Sequence, residues 1–140
     1  MKKERFRFSL PIRIKISKNK FMSLNLNQYR NAHHMVLNTA KKNFKRLFQE
    51  KYGARSITKK EHNFCYRLEY TIYFPNSRRV DVANVGCVVD KFAADALVES
   101  GYIVDDDRKH VKEVSFIDGG IDKADPRAEL KVYAIKRKER

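Results

Sequence analysis

Two stretches of the chain alternate apolar and polar side chains strictly, a pattern satisfied by a strand with one buried face. From Arg5 to Ser17, Phe6, Phe8, Leu10, Ile12, Ile14 and Ile16 fall on one side, and Arg5, Arg7, Ser9, Arg13 and Lys15 on the other. The spacing predicts a half-buried strand with a basic outer face. Pro11 cannot donate a ladder hydrogen bond, so an edge position or a bulge is expected there. Phe64 to Phe74 repeats the alternation through Tyr66, Leu68, Tyr70 and Ile72, and Pro75-Asn76-Ser77 then reads as a turn.

Between these stretches the period lengthens. After a polar loop from Lys18 to Asn25, Asn25 or Asn27 can cap one long helix ending near Tyr52, with Gly53 placed for a left-handed C-terminal position. His33 fits the apolar stripe of that helix, while Lys41, Lys42, Lys45 and Arg46 form a basic face. A second helix is predicted from Asp81 or Ala83 to Ser100, closed by Gly101. Val111–Ile117 and Glu129–Lys136 are strand candidates, separated by the turn-rich Asp118-Gly119-Gly120 and Asp125-Pro126; Lys136 to Arg140 reads as a frayed basic tail. The expected architecture is a single α/β (α+β) domain over residues 1–140, with a mixed sheet and two main helices.

Charge divides this domain into unlike parts. The 140 residues carry a net +14, but residues 1–60 hold 17 basic residues against 2 acidic, and residues 61–140 hold 14 against 15. The basic part predicts a polyanionic partner, nucleic acid above all. With 42% hydrophobic residues the chain is too apolar for a disordered basic arm. Neither a signal peptide nor an apolar run of membrane-spanning length is evident, and two cysteines make no disulfide framework, so a reducing cytoplasm is the expected location and no membrane partner is expected. Cys65, Cys87, His33, His34, His62 and His110 lack the paired spacing of a zinc site.

Within residues 81–107 seven acids surround one base, Lys91. An acidic island in a polyanion binder calls for a divalent cation between carboxylate and phosphate. At about 100 degrees per residue, Asn84, Lys91 and Asp95 share a helix stripe from which Asp90 points away, and Asp81 sits at the helix mouth. The segment Gly101–Val104 is expected to return Asp105, Asp106 and Asp107 toward that mouth. Each residue also has an ordinary role open to it: Asp81 a cap, Lys91 and Asp95 an i, i+4 ion pair, the three aspartates a solvated turn.

The runs Arg78-Arg79-Val80-Asp81-Val82-Ala83-Asn84, Asp90-Lys91-Phe92-Ala93-Ala94-Asp95-Ala96-Leu97 and Gly101-Tyr102-Ile103-Val104-Asp105-Asp106-Asp107 resemble the RusA-type Holliday-junction resolvases. The family pattern is D-x-D-N, a helix containing K-x-x-x-D-A-L, and an apolar segment ending in D-D. Asp81 and Asn84 match the first Asp and the Asn of D-x-D-N, Lys91 the lysine, Asp95 the Asp before Ala-Leu, and Asp105-Asp106 the pair, Asp106 being the stronger ligand candidate. Ala83 stands where the second Asp belongs, and the interval from Asn84 to Lys91 is longer than in the family. Asp95, Asp105 or Asp90 replaces the lost carboxylate, or the chain keeps binding with weakened catalysis.

The resemblance implies a RusA-like fold and a homodimeric, Mg²⁺-dependent endodeoxyribonuclease that resolves four-way DNA, with Mn²⁺ able to substitute. The basic part is residues 1–60 and the metal-site part residues 78–110. Asp81, Lys91, Asp95 and Asp106 are the expected catalytic residues, and Asp81, Asp95, Asp105 and Asp106 the expected metal ligands. Lys91 would meet the scissile phosphate, and Arg78, Arg79, Arg13, Lys15, Lys41, Lys42, Lys45 and Arg46 would bind the branched DNA. The alternative is a basic nucleic-acid-binding protein without catalysis.

Overall fold

The computed structural model describes residues 3–137. Its main sheet has four strands in the order β1-β6-β4-β5: β1 Lys3–Leu10, β4 Phe64–Phe74, β5 Val111–Ile121 and β6 Arg127–Lys136. β4 pairs antiparallel with β6 and parallel with β5, so the sheet is mixed as expected. One α/β domain results, of the α+β class.

One face of the sheet carries the core. Tyr66, Leu68, Tyr70 and Ile72 alternate inward along β4, met by Ala128, Leu130 and Val132 of β6 and by Phe8 and Leu10 of β1. Two helices cover this face, α2 over His34–Tyr52 and α3 over Val82–Glu99. Ala40, Phe44 and Phe48 of α2 and Val88, Val89, Phe92 and Leu97 of α3 are buried there. Outward on the opposite face, Arg67 bonds Glu69 and lies over the Tyr133 ring, and Arg127 bonds Glu129 and lies over Tyr73.

The N-terminal alternation is two strands rather than one. Pro11 breaks it: β1 ends at Leu10 on the sheet edge, and β2, Arg13–Ser17, turns into a hairpin with β3, Lys20–Ser23. The expected polar loop Lys18–Asn25 therefore contains a strand, and its Met22 joins Ile14 and Leu24 in the core. The expected long helix is also divided, into α1, Leu26–Asn31, and α2. Asn25 caps α1 by accepting from the Gln28 amide. His33 does not lie on the apolar stripe; it stands exposed at the N-cap of α2, where its ring accepts from the Met35 amide.

Asp118-Gly119-Gly120 is strand, not turn. β5 runs on to Ile121, with a register shift where Gly120 takes φ +93. Gly119 lies so close to Thr71 and Tyr73 of β4 that a Cβ would crowd both. Of the expected frayed tail, Arg137 is held by the Asn63 and His62 carbonyls, and residues 138–140 lie outside the described ones.

Candidate functional site

The β4–α3–β5 crossover decides where the acidic island goes. Asp81 follows β4 beyond Phe74, whereas the Asp105–Asp107 turn enters β5 at Val111, which pairs with Tyr66 near the other end of β4. Along the strand those ends are about 26 Å apart. The acidic turn thus does not return to the mouth of α3. It faces the middle turns of the helix, where Asp106 bears electrostatically on Asp90, and Asp95 on both. Asp81 and Asp95, at opposite ends of α3, stand roughly 21 Å apart at helical rise, too far to share one ion. The expected ligand set of Asp81, Asp95, Asp105 and Asp106 is corrected accordingly: Asp81 stands apart.

Asp90 points toward the sheet, as its helix phase requires, but it belongs to the acidic group. Its carboxylate accepts from the Tyr70 hydroxyl at 2.7 Å. Burial raises the Asp90 pKa, an effect the Tyr70 hydrogen bond opposes and the Asp106 carboxylate reinforces. Partial desolvation, followed by the neighbouring Asp105 carboxylate, raises Asp106 as well. A cluster of carboxylates that resist losing their protons is electrostatically prepared for a cation.

Among the described residues, the group able to hold a metal is Asp105, Asp107 and His110, with one ligand atom from each within 4.8 Å of the others. The turn builds it. Asp105 Oδ1 accepts from the Asp106 amide, and Asp107 Oδ1 accepts from the His110 amide and meets the His110 ring Nδ1 at 2.7 Å. That contact with His110 holds the Asp107 pKa below the ordinary aspartate value. His110 is only 9% exposed, so its ring is fixed beside the two acids. Carboxylates suit Mg²⁺ and Mn²⁺, and an imidazole tilts the set toward Mn²⁺ and later metals. Asp107 and His110 are absent from the expected ligands, although D-x-x-H at a strand entrance was available as a signal.

The remaining expected residues have definite places. Lys91 is exposed, with Nζ 5.8 Å from the centre of the Tyr29 ring; it makes no ion pair with Asp95 among the described residues. Asn84 is a structural clamp, its side-chain oxygen accepting from the Leu26 amide at the start of α1. Lys42 and Arg46 are exposed on α2, whereas Lys45 pairs with Glu99 of α3 at 2.6 Å. Lys15 is exposed on β2, its carbonyl taken by Asn43.

Arg13, Arg78 and Arg79, distant in sequence, converge on one groove between the β2–β3 hairpin and the loop preceding α3. No protein-family model matches the chain, and no curated protein does. Among the described residues, no helix is long and apolar enough to cross a membrane.

Proposed function

We propose that the chain is a divalent-metal-dependent endodeoxyribonuclease acting on four-way DNA junctions, in the manner of the RusA-type resolvases it resembles. The observation that carries this reading is the grouping of Asp105, Asp107 and His110, able to hold a metal ion, in a protein whose first 60 residues are strongly basic. Asp105, Asp107 and His110 would hold Mg²⁺ or Mn²⁺. When bound, such an ion supplies an activated water and offsets charge on a phosphate under attack.

The chain's own groups do the rest. Lys91, a compact cation beside Asp90 and Asp95 on the same helix, meets the phosphate and opposes the charge building on it. Arg13, Arg78 and Arg79 hold the strand near the start of α3, and Lys15, Lys41, Lys42 and Arg46 bear on the duplex arms without reading sequence. Lys45, already paired, contributes less. Paired incision requires two copies, and the exposed edge of β5, with Val114, Ile117 and Ile121 unburied, offers the second copy a surface.

A second reading, a nucleic-acid-binding protein without catalysis, is favoured by Asp81 standing far from the acidic turn and by Ala83 in place of a carboxylate. Cleavage of a synthetic four-way junction in Mg²⁺ and in Mn²⁺ separates the two. Wild type should cut, and Asp106→Asn and Lys91→Ala should bind the junction in EDTA yet not cut it. Tight binding by wild type with no cutting in either metal establishes the second reading, and undiminished cutting by both Asp106→Asn and Asp107→Asn removes the acidic turn from the site.

A further inference from the structure

The arginine groove has a floor that phosphate binding does not explain. It encloses about 570 Å³, within the roughly 300–1,000 Å³ of small-ligand sites. Leu24 and Val85, 1% and 8% exposed, form the floor with Phe74, while Arg13, Arg78 and Arg79 stand at the rim. No carboxylate lines it, and none of the three arginines makes an ion pair among the described residues. Beside it Phe21, 45% exposed, lies under the Arg13 guanidinium at 4.1 Å.

The lining suits a ligand that is apolar at one end and anionic at the other. A paired duplex presents only its phosphates to such a surface, because its bases are stacked inside. An unpaired nucleotide presents both ends, and apolar or aromatic platforms with arginines are how single strands are held. We propose that this groove receives one unpaired nucleotide of a DNA strand, its base on the Leu24–Phe74–Val85 floor and its phosphate on the arginine rim. The proposal rests on the DNA-binding part of the function above and not on cleavage.

Fluorescence anisotropy in EDTA tests it, comparing a perfectly paired duplex with the same duplex carrying one extrahelical 2-aminopurine. Wild type should bind the bulged duplex about tenfold more tightly, the lower part of what stacking one base contributes, and the 2-aminopurine emission should change on binding. Phe74→Ala, which removes the ring from the floor, and Val80→Trp, which fills the groove, should each bring the ratio of the two affinities close to one. The ratio within one variant is insensitive to any loss of folded protein, and the wild-type ratio decides by itself if a variant fails to fold. Equal affinities for the two duplexes, or a ratio that both variants leave intact, overturn the nucleotide site while leaving the DNA-binding reading in place. No binding of either duplex overturns both.

Discussion

The Tyr70 hydroxyl donates to Asp90 at 2.7 Å, tying the centre of β4 to the middle of α3 beneath the acidic turn. Tyr70 is fully buried, and burial drives its phenol well above its ordinary pKa, so it remains a donor throughout the usable pH range. Tyr70→Phe removes a hydrogen bond to a charged group and leaves Asp90 without its donor. The expected loss is about 1.5–3 kcal/mol in urea denaturation. Because that bond lowers the Asp90 pKa, its removal should move the Asp90 titration upward in carboxyl NMR.

Glu61 is 2% exposed and takes both arms of Arg55, at 2.7 and 2.8 Å, together with the Thr58 hydroxyl and amide. Arg55 in turn donates to the Gly101 carbonyl, anchoring the connection that leads to the acidic turn. The Arg55 guanidinium holds the Glu61 carboxyl down to a pKa of about 2, from 4.5. A depressed carboxylate stabilises the fold above its unfolded value, and the gain is lost as the native group protonates. Stability should therefore fall between about pH 4.5 and pH 2 in thermal melts. Glu61→Gln should flatten that slope and cost on the order of 3 kcal/mol at pH 7.

Gly101 closes α3 at φ +79, and a Cβ there would fall inside the carbonyl oxygen of Arg55. Gly101→Ala should cost about 3 kcal/mol or more. Gly53→Ala provides the contrast: φ +80 strains it, but nothing lies within 4 Å of its added Cβ. A thermal melt in which the two variants lose equal stability would contradict the Arg55 contact.

Ion binding should follow the acidic turn and not the helix mouth. Mn²⁺ affinity measured by calorimetry should drop about tenfold or more in Asp107→Ala. Asp81→Ala should leave it unchanged, since Asp81 lies at the other end of the crossover.

DNA affinity should fall with salt, and Arg78→Ala with Arg79→Ala should reduce the slope of log K against log salt by about 0.9 per arginine. Lys45→Ala should reduce it less than Lys42→Ala, because Lys45 is neutralised by Glu99. Equal effects would show that the Glu99 contact does not persist in solution.

Long periodic elements were legible in the residues alone. Phe64–Phe74 has both bounds as its alternation requires; α3 starts just after Asp81, although the Asp81 side chain makes no capping hydrogen bond there, and it ends just before Gly101. The β2–β3 hairpin was hidden because no glycine marks its turn and β3 has only four residues. The gap between α1 and α2 was equally silent, since Ala32 and His33 carry no breaker and the cap is an imidazole. The pair Gly119-Gly120 misled in the opposite sense: one glycine admits close approach to β4, and the other a left-handed bulge inside a strand.

The candidate site was legible in its composition and not in its grouping. Helix phase shows which residues share a stripe, but the distance between Asp81 and Asp106 is set by which end of β4 each joins. Only the parallel crossover determines that. Asp107 and His110 become neighbours through a three-residue turn whose meaning appears once β5 begins at Val111.

The two outer edges of the sheet are guarded unequally, and this governs how the chain fails when heated or concentrated. β1 carries Lys3, Glu4, Arg5 and Arg7 and stays net basic although Arg7 is paired with Glu4, so two such edges repel one another. β5 presents eleven residues with Val114, Ile117 and Ile121 in water and few charges between them. Irreversible aggregation should start from molecules separated from a second copy, by β5 adding to β5 of another, and one lysine placed at Ile117 should delay it more than any change made on β1.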